Sequence, residues 1–177
     1  MKKILEALSE MIETFAISLI LFLAVYLFLA FPEIVVGTSM EPTLAQGERL
    51  LVERITPKMN KLERGDIVIF NPPGNGNIDY VKRIIGMPGE ALMIKDCEVY
   101  IVDSLGREQK LTSEYLSVGT CTAGDSKVVN IPEDSFYVLG DNRSHSADSR
   151  VFGSLKKDRI SGKVFVRFWP LGKFSKL

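Results

Sequence analysis

The sequence predicts a mainly β protein, in which a single N-terminal transmembrane helix is followed by an antiparallel β domain with a small inserted β lobe. Residues 14–31 carry no formal charge, and the apolar runs after them are short and separated by turn-forming sequences. Such runs are typical of antiparallel strands. A chain of 177 residues is long enough for one domain with a core and a small appendage.

Residues 14–31 are the predicted membrane span. As a helix, these 18 residues would extend about 27 Å, close to the roughly 30 Å hydrocarbon core of a bilayer. Apolar residues before them recur at helical spacing, so we expect the helix to begin within a short cytoplasmic segment, residues 1–13. Pro32 is expected to mark its end or a bend.

A cleaved secretory signal is the alternative interpretation of this helix. The apolar run is longer than the usual 7 to 15 residues of a signal core, and Glu6, Glu10 and Glu13 precede it. We therefore expect a retained single-pass anchor in the cytoplasmic (inner) membrane, in contact with the lipid bilayer. Because Lys2 and Lys3 precede the span and few basic residues follow it closely, the N-terminus is predicted to be cytoplasmic and residues 33–177 extracytoplasmic.

Eight short segments of the later chain have strand character, and Gly, Pro, Asn and Asp clusters separate them. Together they predict one β domain over residues 33–177. The predicted strands are Leu50–Ile55, Asp66–Phe70, Asp79–Ile85, Ala91–Lys95, Val99–Val102, Val128–Ile131, Phe136–Leu139 and Gly162–Trp169.

The polar stretch 103–127 is the least patterned part of the chain, and we interpret it as belonging to an inserted hairpin or small lobe at about residues 96–130. Cys97 and Cys121 both lie in it. A bridge between them would close a loop of about 25 residues and stabilise the fold by roughly 3 kcal/mol in the chain-entropy model. Two unrelated thiols are the alternative, because spacing alone does not pair cysteines. On the external side of a membrane we expect the disulfide.

Composition excludes some classes of function. The 22 basic and 22 acidic residues balance, so nothing suggests a nucleic-acid partner. Two cysteines and one histidine do not form a recognisable ligand set, and no metal or cofactor is expected.

Four sequence blocks suggest one catalytic site. Their sequences are SMEPTL at 39–44, RGDIVIF at 64–70, YVKRIIGMPGE at 80–90 and GDNRSHSADSR at 140–150. In this order behind a membrane segment, the blocks resemble those of bacterial type I (leader) signal peptidases, and the match extends from about residue 34 to the C-terminus. The resemblance implies a membrane-anchored Ser-Lys serine endopeptidase that cleaves signal peptides from exported preproteins.

Ser39 is the candidate nucleophile and Lys82 the candidate general base. A serine hydroxyl reacts readily only when a base removes its proton, whereas a free lysine has a pKa near 10.4. Strand alternation places Lys82 on the same face as Tyr80 and Ile84, and burial among such groups would lower its pKa. A solvated surface lysine is the alternative.

His145, the single histidine, is the alternative base in a Ser-His arrangement. In the resembled family this position tolerates different residues. We therefore expect His145 to be a solvated loop residue.

The resemblance also assigns supporting roles. It implies that Ser146 hydrogen-bonds and orients Lys82, and that Asp148 with Arg150, and Asp141 with Arg143, form ion pairs that support the site. The Ser39 backbone N–H is the expected first oxyanion donor. One branch of the family has a serine hydroxyl two residues earlier as the second donor; here that position is Gly37, as in the other branch, which leaves the second donor open.

Substrate recognition is expected to add the extended substrate peptide to strand edges near residues 34–38 and 80–83. Gly37 would allow a close approach of the substrate backbone. The resemblance implies small residues at positions −1 and −3 of the precursor. The residues expected to line apolar pockets are Ile34, Val35, Val36, Met40 and Ile84.

Three other functions compete with a general signal peptidase. A non-enzymatic membrane-anchored β module would have no use for a buried lysine. Self-cleaving Ser-Lys regulators carry a DNA-binding lobe, and this chain has no basic helical segment to serve as one. A specialised peptidase that processes a single pilin or conjugation precursor is compatible with every feature of the sequence.

Overall fold

The N-terminal helix α1 spans Lys2–Ala24. The structure is a computed structural model, which describes residues 2–24, 26, 29–74, 78–112, 115–117 and 119–177. Within α1, the 19-residue segment Glu6–Ala24 is long and apolar enough to cross a membrane, and none of it is buried in the protein. Its exposed apolar surface is the expected property of a lipid-facing anchor.

The predicted C-terminal end of the membrane helix is wrong. Ala30 and Phe31, expected to be helical, begin strand β1 (Ala30–Ile34), and Pro32 lies inside that strand. Strand β1 pairs with the segment Arg49–Glu53 and forms the edge of its sheet, a position where the missing N–H of proline is tolerated. Residues 25, 27 and 28 of the predicted span lie outside the described residues.

Strands dominate the described chain after α1. Between them lie two single-turn α-helices, α2 (Ile55–Lys58) and α3 (Ser149–Phe152), and two 3₁₀ turns, Lys157–Arg159 and Leu171–Lys173. All eight predicted strands are present, with ends within two residues of those predicted. The strands after β1 are β2 (Arg49–Glu53), β3 (Ile67–Phe70), β4 (Tyr80–Gly86), β5 (Ala91–Lys95), β6 (Glu98–Val102), β7 (Glu108–Lys110), β8 (Val128–Asn130), β9 (Ser135–Leu139), β10 (Leu155–Lys156), β11 (Ile160–Trp169) and β12 (Ser175–Lys176).

The main sheet has the order β1-β2-β11-β3-β4-β9-β10, and β12 pairs with β11. All of these pairs are antiparallel. The sheet therefore places β4, which carries Lys82, between β3 and β9 in its interior.

A second sheet, in the order β7-β6-β5-β8, forms the inserted lobe. It includes β5, so the lobe begins at Ala91 and not at residue 96 as predicted. Asp96 and Cys97 have φ angles of 52° and 65° and form the two-residue turn that pairs β5 with β6. Residues 91–130 are called the small lobe below.

A shared apolar core joins the small lobe to the main sheet. Leu92, Ile94 and Val99 of the lobe pack in one buried cluster with Ile85 and Leu139 of the main sheet. At the junction, a Cβ atom on residue 86 would overlap the Ile131 side chain. Glycine at position 86 therefore allows the lobe to pack this closely.

The small lobe contains a disulfide between Cys97 and Cys121, whose Cα atoms are 4.4 Å apart. Next to it, the Thr122 N–H donates a hydrogen bond to the Cys97 carbonyl at 2.9 Å. The crosslink thus holds residues 121–122 against the β5–β6 turn.

The disulfide generates a stability prediction. The double variant Cys97→Ser/Cys121→Ser should lower the free energy of unfolding by about 3 kcal/mol, because the crosslink restricts the unfolded chain. Urea unfolding of the detergent-solubilised protein, followed by the fluorescence of the single tryptophan, measures this difference. Reductant should bring the wild type to the stability of the double variant and leave the variant unchanged. If the wild type prepared without reductant has both thiols free and is no more stable than the double variant, the prediction is contradicted.

Candidate active site

Ser39 lies in a turn that follows β1 and is anchored by buried neighbours. The adjacent Met40 is 1% exposed and Leu44 is fully buried, and the Leu44 N–H donates to the Met40 carbonyl at 2.8 Å. Gly37 has a φ of 88°, in the left-handed region that favours glycine. This anchoring holds a partly exposed serine in a defined position.

Lys82 lies on β4 with its amine directed at Ser39. The Lys82 Nζ is 2.7 Å from Ser39 Oγ, and it donates a hydrogen bond to the Val81 carbonyl at 2.8 Å. The lysine is 4% exposed, and the Tyr80 ring centroid is 5.1 Å from its Nζ. The predicted nucleophile and base are therefore in hydrogen-bonding contact.

Burial lowers the pKa of Lys82 to about 8, although the negative charges of Asp148 and Asp141 act in the opposite direction. Desolvation penalises the ammonium form and leaves the neutral amine unaffected. A substantial fraction of Lys82 is consequently neutral near pH 8, which is the form that can accept a proton from Ser39.

The predicted ion pair between Asp141 and Arg143 is wrong. Asp141 is instead held by Arg83, whose Nε and Nη2 donate to its two carboxylate oxygens at 2.9 and 2.7 Å. Arg83 lies opposite Leu139, the last residue of β9, and Asp141 follows only two residues later, within reach of the guanidinium. The strand register thus selects Arg83 over the nearer residue in sequence.

Asp148 and Arg150 form the ion pair that the sequence predicted. The Arg150 Nε and Nη2 donate to the two carboxylate oxygens, both at 2.8 Å, and Asp148 also accepts from the Gly140 N–H at 3.0 Å. Complete burial of Asp148 would raise the pKa of its carboxyl, but these hydrogen bonds hold it below its ordinary value. Asp148 therefore stays ionised beside the site.

Ser146 does not make the predicted hydrogen bond to Lys82. Its hydroxyl is buried and has no hydrogen-bond partner among the described residues, although it lies close enough to Asp148 to help lower the pKa of that carboxyl. The Lys82 amine is directed to Ser39 Oγ and the Val81 carbonyl instead. Ser146 lies near the site without orienting the lysine in this structure.

Two residues of the 140–150 block have site contacts that the sequence analysis missed. A Cβ atom on Gly140 would overlap both the Ser146 side chain and the Ser39 carbonyl. Asn142 donates its N–H to the Ser39 carbonyl at 3.0 Å and its Nδ2 to the Thr38 carbonyl at 3.2 Å. The sequence blocks predicted that residues 39–44 and 140–150 share one site, but no sequence pattern indicated which backbone groups would pair across it.

An open cleft of about 660 Å³ leads to Ser39 and Lys82. Of the six residues predicted to bind substrate, five line it: Ile34, Val35, Val36, Gly37 and Met40. Ile84 does not, and this prediction is wrong. Ile84 is fully buried, because its side chain packs in a core cluster with Val68 and Phe136.

His145 also borders the cleft, but its contacts differ from those of a base. Its side chain is exposed, and its Nδ1 lies 2.9 Å from the neighbouring Ser144 Oγ. No hydrogen bond joins His145 to Ser39 in the described part of the chain. The contacts of Ser39 therefore favour Lys82 over His145 as the candidate base.

The Ser39 backbone N–H donates to none of the described residues. It is thus available to an oxyanion formed next to Ser39 Oγ. The identity of the second donor stays open, as it was from the sequence.

Comparisons with known proteins agree with this geometry. Residues 8–169 match the family model for signal peptidase, peptidase S26. The chain is 38% identical to Signal peptidase IB of Staphylococcus aureus (strain Mu50 / ATCC 700699), covering 94% of this chain and 92% of that protein. It is 37% identical to Signal peptidase I of Bacillus licheniformis, covering 96% and 93% respectively.

A crystal structure of a signal peptidase I from Enterococcus faecalis V583 is also similar, at 32% sequence identity and a TM-score of 0.48. The match covers 58% of this chain and 96% of that one. The extent of the family match and the identity to two curated relatives determine the assignment: the chain belongs to the signal peptidase family of serine proteases, peptidase S26.

Proposed function

We propose that this protein is a membrane-anchored endopeptidase that cleaves signal peptides from exported preproteins, with Ser39 as nucleophile and Lys82 as general base. The observation that carries the proposal is the 2.7 Å contact between Ser39 Oγ and the Nζ of a nearly fully buried lysine. A buried amine beside a serine hydroxyl, at the end of an open cleft, meets the geometric requirement for nucleophilic catalysis.

The mechanism follows from these positions. Ser39 Oγ attacks the carbonyl carbon of the scissile bond while Lys82 Nζ takes the hydroxyl proton. The Ser39 N–H stabilises the oxyanion of the tetrahedral intermediate, and the Lys82 ammonium then gives its proton to the leaving amine. In the second half, neutral Lys82 activates a water that hydrolyses the acyl ester and releases the signal peptide.

Strand addition accounts for substrate binding. Strand β4 pairs with β3 at Val81 and Lys82, but with β9 only from Arg83 onward. The β9 side of Val81 and Lys82 thus borders the cleft and can accept an extended peptide. Across the cleft, Ile34 and Val36 are 57% and 86% exposed, and they offer shallow apolar contacts for small side chains at positions −1 and −3.

The first prediction concerns the catalytic pair. The purified full-length protein in detergent should cleave a secretory precursor at its signal peptide junction, as N-terminal sequencing of the product would show. Ser39→Ala and Lys82→Met should lower kcat by at least about a thousandfold. Lys82→Arg should be as inactive, because a guanidinium stays protonated.

His145→Ala is the matched control, because His145 borders the same cleft without contacting the nucleophile. It should retain activity within about threefold of the wild type. An essential His145 with a dispensable Lys82 would convert the proposal into a Ser-His enzyme. Cleavage of one pilin or conjugation precursor alone, among a panel of secretory precursors, would favour the specialised peptidase.

The pH dependence distinguishes the two candidate bases. A general base must be unprotonated in the free enzyme, so kcat/KM should rise about tenfold per pH unit and level off above the pKa of Lys82, which is about 8. A histidine base would place the midpoint near pH 6.5. A kcat/KM profile that is already flat from pH 6 upward would contradict lysine as the base.

We also propose that the N-terminus is cytoplasmic and the β domain extracytoplasmic. Lys2 and Lys3 precede the apolar segment, and the first basic residue after it is Arg49, which is the charge distribution that retains the N-terminal side in the cytoplasm. Protease added to intact spheroplasts should degrade the β domain, and the same protein in sealed inside-out vesicles should be protected. Activity of a cytoplasm-only reporter fused after Leu177 would contradict this orientation.

A further inference from the structure

We propose that Thr122 and Tyr115 of the small lobe are positioning residues for the reaction, acting through Arg143 on the segment that supports Ser39. This inference rests on the proposed function. It assigns the disulfide-linked lobe a part in catalysis beyond covering one side of the main sheet.

Arg143 is a buried cation that depends on the lobe for its hydrogen bonds. It is 3% exposed and forms no ion pair with any described carboxylate, because Asp141 is bound by Arg83 and Asp148 by Arg150. Its donors go to three neutral oxygens: the Gly140 carbonyl at 3.1 Å, the Thr122 hydroxyl, and the Tyr115 hydroxyl at 3.4 Å. Two of these three acceptors belong to the small lobe.

From Arg143 the contacts continue to the nucleophile. Arg143 binds the Gly140 carbonyl, and Gly140 packs so closely against the Ser39 carbonyl that it has no room for a side chain. Asn142, the residue before Arg143, donates its N–H to the same Ser39 carbonyl. A displacement of Arg143 would therefore shift the backbone that holds the serine.

Tyr115 also contacts the strand that carries the base. Its ring lies 4.0 Å from the guanidinium carbon of Arg83, the residue that follows Lys82 and binds Asp141. A cation over an aromatic face is held by the ring quadrupole. The lobe therefore contacts Arg83, next to Lys82, as well as Arg143.

The disulfide places Thr122 in this network. Thr122 follows Cys121 and is 2% exposed, and its N–H donates to the carbonyl of Cys97, the other half of the crosslink. Its hydroxyl is thereby held at a fixed position relative to the lobe sheet. Loss of that hydroxyl leaves a buried, charged donor unsatisfied, which is costly in a protein interior.

The test compares three threonine variants of the full-length protein in the precursor assay, each at a temperature well below its unfolding midpoint. Thr122→Val, which keeps the shape and removes the hydroxyl, should lower kcat about tenfold and leave KM within about twofold of the wild-type value. KM is spared because none of the side-chain hydrogen bonds of Arg143 goes to a described residue that lines the cleft. Thr122→Ser should restore at least half of the wild-type kcat.

Thr120→Val is the matched control, since it makes the same chemical change two residues away in the same segment. It should leave kcat and KM unchanged. Tyr115→Phe, which keeps the ring over Arg83 and removes the hydroxyl at 3.4 Å from Arg143, should lower kcat by about two- to fivefold and serves where Thr122→Val does not fold.

With an active wild type, unchanged kcat in both Thr122→Val and Tyr115→Phe would overturn this inference and leave the proposed function intact. A loss of kcat in Thr120→Val equal to that in Thr122→Val would do the same. A fall in stability without a selective fall in kcat would overturn it in the same way. A wild-type protein that cleaves no precursor would overturn the proposed function, and this inference with it.

Discussion

The site depends on keeping one amine largely free of water. The pKa of Lys82 is about 8, compared with an ordinary lysine pKa of 10.5. This difference means that the folded protein destabilises the charged form of Lys82 by about 3 kcal/mol. Below pH 8 the folded protein carries this cost, which is a large part of the 5 to 15 kcal/mol that typically stabilises a domain. The interior strand position of β4 and the packed turn around Ser39 are the features that maintain it. In this respect the fold sacrifices stability for a lysine amine that is partly neutral near pH 8.

The arginine partners of the two nearby carboxylates serve the same constraint. Asp141 and Asp148 both raise the pKa of Lys82, and without partners of their own they would hold the ammonium form more firmly. Arg83 and Arg150 each bind one of them with two hydrogen bonds. The carboxylates can thus form the hydrogen bonds that order the 140–150 block. Their arginine partners neutralise much of their negative charge, so their effect on the pKa of Lys82 is smaller.

Local patterns predicted the strands and the burial of Lys82 well, because both leave a signal in neighbouring residues. Short β-branched runs and turn residues located all eight predicted strands, and the alternation around Lys82 indicated a buried face. The end of the membrane helix was misplaced because an uncharged run does not distinguish a lipid-facing helix from an apolar edge strand. Residues 30 and 31 satisfy both patterns, and only the pairing of β1 with β2 decides between them.

The partner of Asp141 shows where local reasoning ends. Arg143 is two residues away and Arg83 is 58 residues away, yet the β4–β9 register turns Asp141 toward Arg83. That choice deprives Arg143 of a carboxylate, and a buried guanidinium must then take neutral acceptors from whatever packs against it. Here those acceptors come from the small lobe. The pairing of β4 with β9 therefore determines both the partner of Asp141 and the dependence of Arg143 on acceptors from the small lobe.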